Sequence, residues 1–243
     1  MLKIIVNGAF GKMGQMAVEA INQQQDMELV AELGREDDLG NHIQQQQADI
    51  VVDVTSADSV YKNCQTIIAN QAHPVIGTSG LTDNQIQTLQ QQCQQRQLGG
   101  VIAPNFSIGA VMMMHCSQLA AQFMERAEIL EAHHMHKKDA PSSTALKTAQ
   151  LLSQKLKNSD HQSQESWPGA LGADYHGIPI HAVRSPGVLA EQNVYLANPD
   201  EQLNIQHRAL SRQCFRPGLL TCCRKAPMLT SLIYGLDQLL LCD

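Results

Sequence analysis

The chain has 243 residues, a formal net charge of −6, 43% hydrophobic residues and 16% charged residues. That length and apolar content fit one large or two modest globular domains and exclude a disordered chain. The acidic balance argues against a nucleic-acid coat, and an aromatic content of 4% argues against stacking platforms for bases. The seven cysteines, odd in number and including the adjacent Cys222 and Cys223, read as reduced, mostly buried thiols of a cytoplasmic protein.

The N-terminal run Leu2 to Val6 reads as a fully buried strand. It stops at Asn7-Gly8, too soon for a signal peptide or a membrane span. Gly8-Ala9-Phe10-Gly11-Lys12-Met13-Gly14 follows, and then a helix with Met13, Met16, Ala17, Ala20 and Ile21 on one face. Strand, glycine turn and helix is the arrangement that cradles a pyrophosphate. The spacing is G-x-x-G-x-x-G, with Phe10 where the strict fingerprint has its second glycine, so a plain tight turn is the competing reading. The next strand, Leu29 to Glu32, runs into Leu33-Gly34-Arg35. The acid expected there, about 20 residues past the glycines, would bond the ribose hydroxyls. Its absence, with Arg35 beside it, favours a 2′-phosphate and so NADPH, with NADH as second candidate. Arg35 as a plain surface charge is the alternative.

Buried strands are expected at Ile50 to Thr55, at His73 to Ile76 and at Gly100 to Ala103, with helices over 57–71 and 82–96, the latter capped by Thr82. Strands alternating with helices predict a parallel sheet whose ligands bind at the C-terminal strand ends. That rim would carry the glycine turn, Gly77-Thr78-Ser79 and Ala103-Pro104-Asn105-Phe106; for the last two, ordinary turn chemistry is the bland reading. The methionine-rich segment Ile108 to Phe123 reads as a core helix.

Glu131 to Leu146 contains three histidines, two lysines and an aspartate. It should run from a strand end through a loop into a helix, with Asp139 or Ser142 as cap and Pro141 in a first turn. A helix start offers free N–H groups to an anion, and histidine exchanges protons near neutral pH. The segment therefore reads as a site for an anionic small molecule that is protonated or held by its carboxylates. A solvated loop is one competing reading. A metal site on His133, His134 and His136 is another, but the neighbouring lysines repel a cation and no further ligand stands at a suitable spacing. After a loop over 158–177, the segments Ile178 to Arg184, Asn193 to Ala197 and Leu203 to His207 alternate as antiparallel strands do. A helix from Leu219 to Leu241 should close the chain. The expected fold is α/β: a Rossmann-like parallel-sheet domain (1–106 and 217–243) and a second, α+β domain with a mostly antiparallel sheet (107–216).

The glycine turn, Gly77-Thr78-Ser79-Gly80, Pro104-Asn105-Phe106-Ser107 and above all Glu131-Ala-His-His-Met-His-Lys-Lys-Asp-Ala-Pro-Ser-Ser-Thr-Ala145 resemble the 4-hydroxy-tetrahydrodipicolinate reductase (dihydrodipicolinate reductase) family, in order and over nearly the whole chain. The resemblance implies hydride transfer from NAD(P)H to a cyclic dicarboxylate, giving tetrahydrodipicolinate for diaminopimelate and lysine synthesis, in a homotetramer without nucleic-acid or membrane partners. It makes His133 the general acid and Lys137 the residue that holds a substrate carboxylate and assists proton transfer. His134, Ser143 and Thr144 complete the carboxylate site. The cofactor is lined by Gly8, Ala9, Phe10, Gly11, Lys12, Met13, Arg35, Gly77, Thr78, Ser79, Ala103, Pro104, Asn105 and Phe106, with no metal. Two departures stand out. Ser143 replaces a usual glycine, which matters if the position needs φ > 0, and Gly34 replaces the acid of members that use NADH well. The competing functions are a related reductase for another dicarboxylate and a dinucleotide sensor without catalysis.

Overall fold

The computed structural model of the protein describes residues 1–156 and 164–241. The chain divides into two compact units, Met1–Ile108 with Arg212–Asp243, and Gly109–Ser211.

In the first unit β1 (Leu2–Asn7), α1 (Lys12–Asn22), β2 (Met27–Leu33), α2 (Leu39–Gln46), β3 (Ile50–Asp53), α3 (Ala57–Ala69), β4 (His73–Ile76), α4 (Asp83–Gln95) and β5 (Gly100–Ile102) alternate. The strands stand in the order β2-β1-β3-β4-β5, all parallel. Strands buried on both faces have no polar side to alternate with, which is why Ile4-Ile5-Val6 and Ile50-Val51-Val52 are continuous apolar runs. Ile5, Val51, Ile76 and Ile102 pack with Val60, Cys64 and Ile67 of α3 and Leu89 and Cys93 of α4. Thr82 caps α4 reciprocally with Gln85.

The strand order reverses between β1 and β3, the place where doubly wound sheets open a ligand crevice. The glycine turn sits there. Gly8 has φ +88°, and a Cβ on it would lie 2.7 Å from the Val54 carbonyl. A Cβ on Gly14 would lie 2.1 Å from the Gly8 carbonyl and 2.6 Å from Ala9 backbone atoms, so α1 lies directly on the turn. At Gly11 the nearest atom is 3.6 Å away, an ordinary contact. Gly14→Ala should therefore cost about 1–3 kcal/mol in urea unfolding, as overpacking does. Gly11→Ala should stay within about 0.5 kcal/mol of wild type yet raise KM for the dinucleotide. Equal stability losses in the two variants would refute that division.

The second unit contains α5 (Ile108–Ala121), which starts at its boundary, β6 (Arg126–His133), α6 (Ser143–Ser153), β7 (Ala173–Tyr175), β8 (Ile178–Arg184), β9 (Ala190–Asn198) and β10 (Glu201–Ala209). Its sheet runs β10-β9-β6-β8-β7. Met113 of α5 and Ala145, Ala149 and Leu152 of α6 pack with Ile129, Ile178, Ile180, Val194 and Leu196.

Three expectations need correction. β8 is parallel to β6 and antiparallel only to β7. The helix α6 lies between β6 and β8 in the chain, and a helical crossover returns the chain in the same direction. Part of the loop expected over 158–177 is β7, joined to β8 by His176 (φ 56°) and Gly177 (φ 80°), as a two-residue hairpin loop requires; residues 158–163 of that loop lie outside the described residues. The closing segment is not one helix. It is α7 (Arg216–Lys225), a short 3-10 turn (Ala226–Met228), β11 (Leu232–Tyr234) and α8 (Asp237–Leu241). β11 adds a sixth parallel strand beside β5. Pro227 and Gly235 (φ +105°) bracket this break. α7 is tied to α1 by Arg216 to Glu19 and to the turn before β2 by Arg224 to Asp26 at 2.7 Å. Among the described residues no helix is long and apolar enough to cross a membrane.

Candidate active site

Two groups of residues carry chemistry, one in each unit. On the first unit, the expected cofactor residues gather at the C-terminal ends of adjacent strands. The amides of Gly8 and Ala9 both donate to the Leu33 carbonyl, at 2.9 and 3.0 Å, which joins the glycine turn to the end of β2. Lys12 and Met13 begin α1, and Phe10 is 66% exposed. A Cβ on Gly34 would lie 3.0 Å from the Phe10 ring, so any side chain at position 34 would displace that ring. Arg35 is exposed and bonds to none of the described residues.

Gly77 follows β4 and lies under the buried Phe106 ring, where a Cβ would be 2.4 Å away. Ala103 donates its amide to the Ile76 carbonyl at 2.8 Å, and Asn105 accepts the Ser107 amide at 2.8 Å. Beneath this rim lies a residue that the sequence did not single out. The Asp53 carboxylate is fully buried. It accepts from Asn7 at 2.9 Å, Asn63 at 2.8 Å, the Thr55 hydroxyl at 2.8 Å and the Thr78 hydroxyl at 2.7 Å. The Thr78 hydroxyl is thus turned inward, and that residue offers a ligand its backbone. The signal was an acid ending an otherwise apolar strand.

The rim suits a dinucleotide. Packing does not require Gly11 to be glycine, so its bare Cα leaves room for a pyrophosphate to approach the start of α1, where amides lack helical partners.

On the second unit His133 ends β6. His134, with its ring 6.3 Å from that of His136, and Lys137 lie in the turn that follows. Lys137 forks onto Asp139 at 2.8 and 2.9 Å, and this bond holds the Asp139 carboxyl below its usual range. Asp139 therefore does not cap the helix. Ser142 does, accepting the Ala145 amide at 3.2 Å, with Pro141 ahead of the cap rather than in the first turn. Ser143 and Thr144 open α6, and their amides have no helical partner by position. Thr148 fixes this end: its hydroxyl donates to the Thr144 carbonyl at 2.8 Å and accepts from buried Gln192 at 2.8 Å. Ser143 is a helical residue and is not among those with positive φ. The backbone at this position therefore does not require glycine.

The sequence reading gave no role to Glu131 or Arg184. Glu131 is fully buried and accepts from His133 Nδ1 at 2.6 Å, from both Arg184 terminal nitrogens at 2.8 and 2.9 Å, and from the Ser142 amide at 3.1 Å. Burial alone would raise its pKa, but the bonds from His133 and Arg184 outweigh burial and hold it at about 2. Among the described residues no group of three metal-ligating side chains is disposed to hold an ion. The buried thiols are inert: burial pushes Cys93 and Cys222 up to about 12.

Both parts of the chain match one family. Residues 2–106 match the description "Dihydrodipicolinate reductase, N-terminus", and residues 109–240 match "Dihydrodipicolinate reductase, C-terminus". The chain belongs to the dihydrodipicolinate reductase family. Among similar members, the 4-hydroxy-tetrahydrodipicolinate reductase of Legionella pneumophila (strain Paris) is 48% identical, covering 98% of this chain and 99% of its own. That of Coxiella burnetii (strain Dugway 5J108-111) is 44% identical over the same shares. A solved structure of the family, the dipicolinate-bound dihydrodipicolinate reductase from Paenisporosarcina sp. TG-14, superimposes with a TM-score of 0.89 at 35% identity, covering 98% of this chain and 99% of that one. As a family member the chain is an oxidoreductase on a Rossmann-like fold, and both groups of residues described above fall inside the matched segments.

Proposed function

We propose that this protein reduces 4-hydroxy-tetrahydrodipicolinate to tetrahydrodipicolinate in diaminopimelate and lysine synthesis, with NADPH preferred over NADH. Membership of the family over both units carries the reaction. The dicarboxylate substrate is supported by the dipicolinate bound to the relative from Paenisporosarcina. Residues 1–106 and 217–243 form the dinucleotide-binding domain and 107–216 the domain for substrate and oligomerisation. The homotetramer rests on the family alone, and the cytoplasmic location on the free, buried thiols.

When bound, NADPH supplies the hydride. Gly8 to Met13, Gly77 to Ser79 and Ala103 to Phe106 would line it, the glycines letting the backbone come close to its phosphates. Arg35 would pair with the 2′-phosphate, and the missing acid at Gly34 removes the repulsion that would oppose it. On the second unit, Lys137 and the opening amides of α6 at Ser143 and Thr144, with His134, hold the substrate carboxylates. Lys137 exchanges Asp139 for the substrate when it does so. His133 delivers the proton.

The observation that carries the site assignment is His133 fixed at the end of β6, close in the chain to the open helix start. Initial rates of NADPH and NADH oxidation with freshly generated substrate test the function: turnover that prefers NADPH is expected, and dinucleotide binding without turnover would leave only the sensor. Arg35→Ala should raise KM for NADPH about tenfold, the worth of one charge-assisted hydrogen bond, and leave NADH unchanged. Equal effects on both cofactors would remove Arg35 from the phosphate.

A further inference from the structure

His133 needs more than its place on β6 to act as an acid, because an imidazole can present either nitrogen. Side chains two apart on a strand share a face, so Glu131 and His133 point the same way. Arg184 comes from the neighbouring strand, where it stands directly opposite His133. Glu131 is ionised, hence an acceptor only, so the Nδ1 it touches at 2.6 Å is the donor. That leaves Nε2 as the ring atom for substrate. The His133 side chain is 16% exposed, against 0% for Glu131, so the ring reaches the surface while its anchor does not. Arg184 also donates to the Asp139 carbonyl at 2.7 Å, so the same guanidinium braces the loop that carries Lys137.

We propose that Glu131, clamped by Arg184 and the Ser142 amide, is the positioning residue for His133. It holds the ring by Nδ1, assigns proton delivery to Nε2 and stabilises the imidazolium that must form before each turnover. The inference rests on His133 being the acid. In the step itself the Nε2–H bond breaks as the substrate takes the proton, hydride arrives separately from NADPH, and imidazolium becomes neutral imidazole. Glu131 keeps its charge throughout, and solvent restores the proton on His133. The other charged groups nearby in the fold are Arg184 from β8 and the mutually paired Lys137 and Asp139 of the following loop; β9 presents only Ala190 opposite His133.

The test compares Glu131→Gln, Glu131→Asp, His133→Gln and the double variants Glu131→Gln/His133→Gln and Glu131→Asp/His133→Gln, by kcat and KM. Glu131→Gln should lower kcat about a hundredfold and change KM for both substrates by less than about twofold. Glu131→Asp, which keeps the charge, should recover most of that loss. On a His133→Gln background, where a residual rate is left, the Glu131 change should cost nothing further. A merely structural role would lower kcat equally in both backgrounds, and that result overturns the proposal. If His133→Gln loses most of its kcat while Glu131→Gln keeps the wild-type value, the positioning role alone is wrong. If His133→Gln retains full kcat, the acid assignment falls and this inference with it. Should the glutamine variant fail to fold, the aspartate variant is compared in the two backgrounds, and equal losses in both refute the role.

Discussion

His133→Ala is expected to lower kcat by ~10²- to 10⁴-fold, the usual worth of a general acid. The ring is 16% exposed and bonds to Glu131 at 2.6 Å; Arg184 still pairs with that carboxylate in the variant, which should therefore fold. KM for NADPH should not change, because the expected cofactor residues lie on the first unit. KM for the dicarboxylate should change little, since Lys137 and the start of α6 remain. Initial rates at saturating substrate, with urea unfolding as the folding control, decide the matter. Undiminished kcat would show that the proton comes from elsewhere.

Arg184→Met should strongly destabilise the second unit. It removes both guanidinium bonds to Glu131, at 2.8 and 2.9 Å, and leaves a fully buried carboxylate without its cation. Removing one partner of a buried pair costs about 3–5 kcal/mol, because the remaining charge stays desolvated. The pH dependence follows from the same pair. Glu131 lies at about 2 in the folded protein against an ordinary 4.5. A lowered carboxyl stabilises the fold above its ordinary value, and that contribution is lost as pH falls from 4.5 to about 2. In Arg184→Met this acid dependence should flatten as well. Urea midpoints at neutral and acid pH measure both effects. A midpoint within error of wild type would mean that the carboxylate is solvated and that the pair contributes nothing.

The first sheet was legible because its strands are buried on both faces. Ile4-Ile5-Val6 and Ile50-Val51-Val52 leave no other reading in a βαβ rhythm. β11 was not, because Leu232-Ile233-Tyr234 lies in an apolar stretch whose composition suits a helix equally; Pro227 and Gly235 were the available cues. The direction of β8 was hidden because alternation fixes a face and not a partner, although a helix between β6 and β8 already implied a parallel return. His133, Lys137 and Ser143, to which the proton and carboxylate roles are proposed, stood out because they are close together in sequence. Arg184 did not, for it is 53 positions from the Glu131 it grips. Asp53 was hidden differently: its partners Asn7, Asn63 and Thr78 come from three other segments, and only folding assembles them.

The sixth strand of the parallel sheet has a consequence for biosynthesis. The ribosome makes the entire second unit between β5 and β11, so the first sheet stays unfinished while more than a hundred residues emerge behind it, at about 5–20 residues per second. Throughout that interval β5 presents a bare edge, the kind of surface that recruits a stray strand from another nascent chain. Synthesis stalled before Leu232 would release a polypeptide with its glycine turn formed and its sheet unsealed. Completion of the first unit is thereby coupled to successful production of the second.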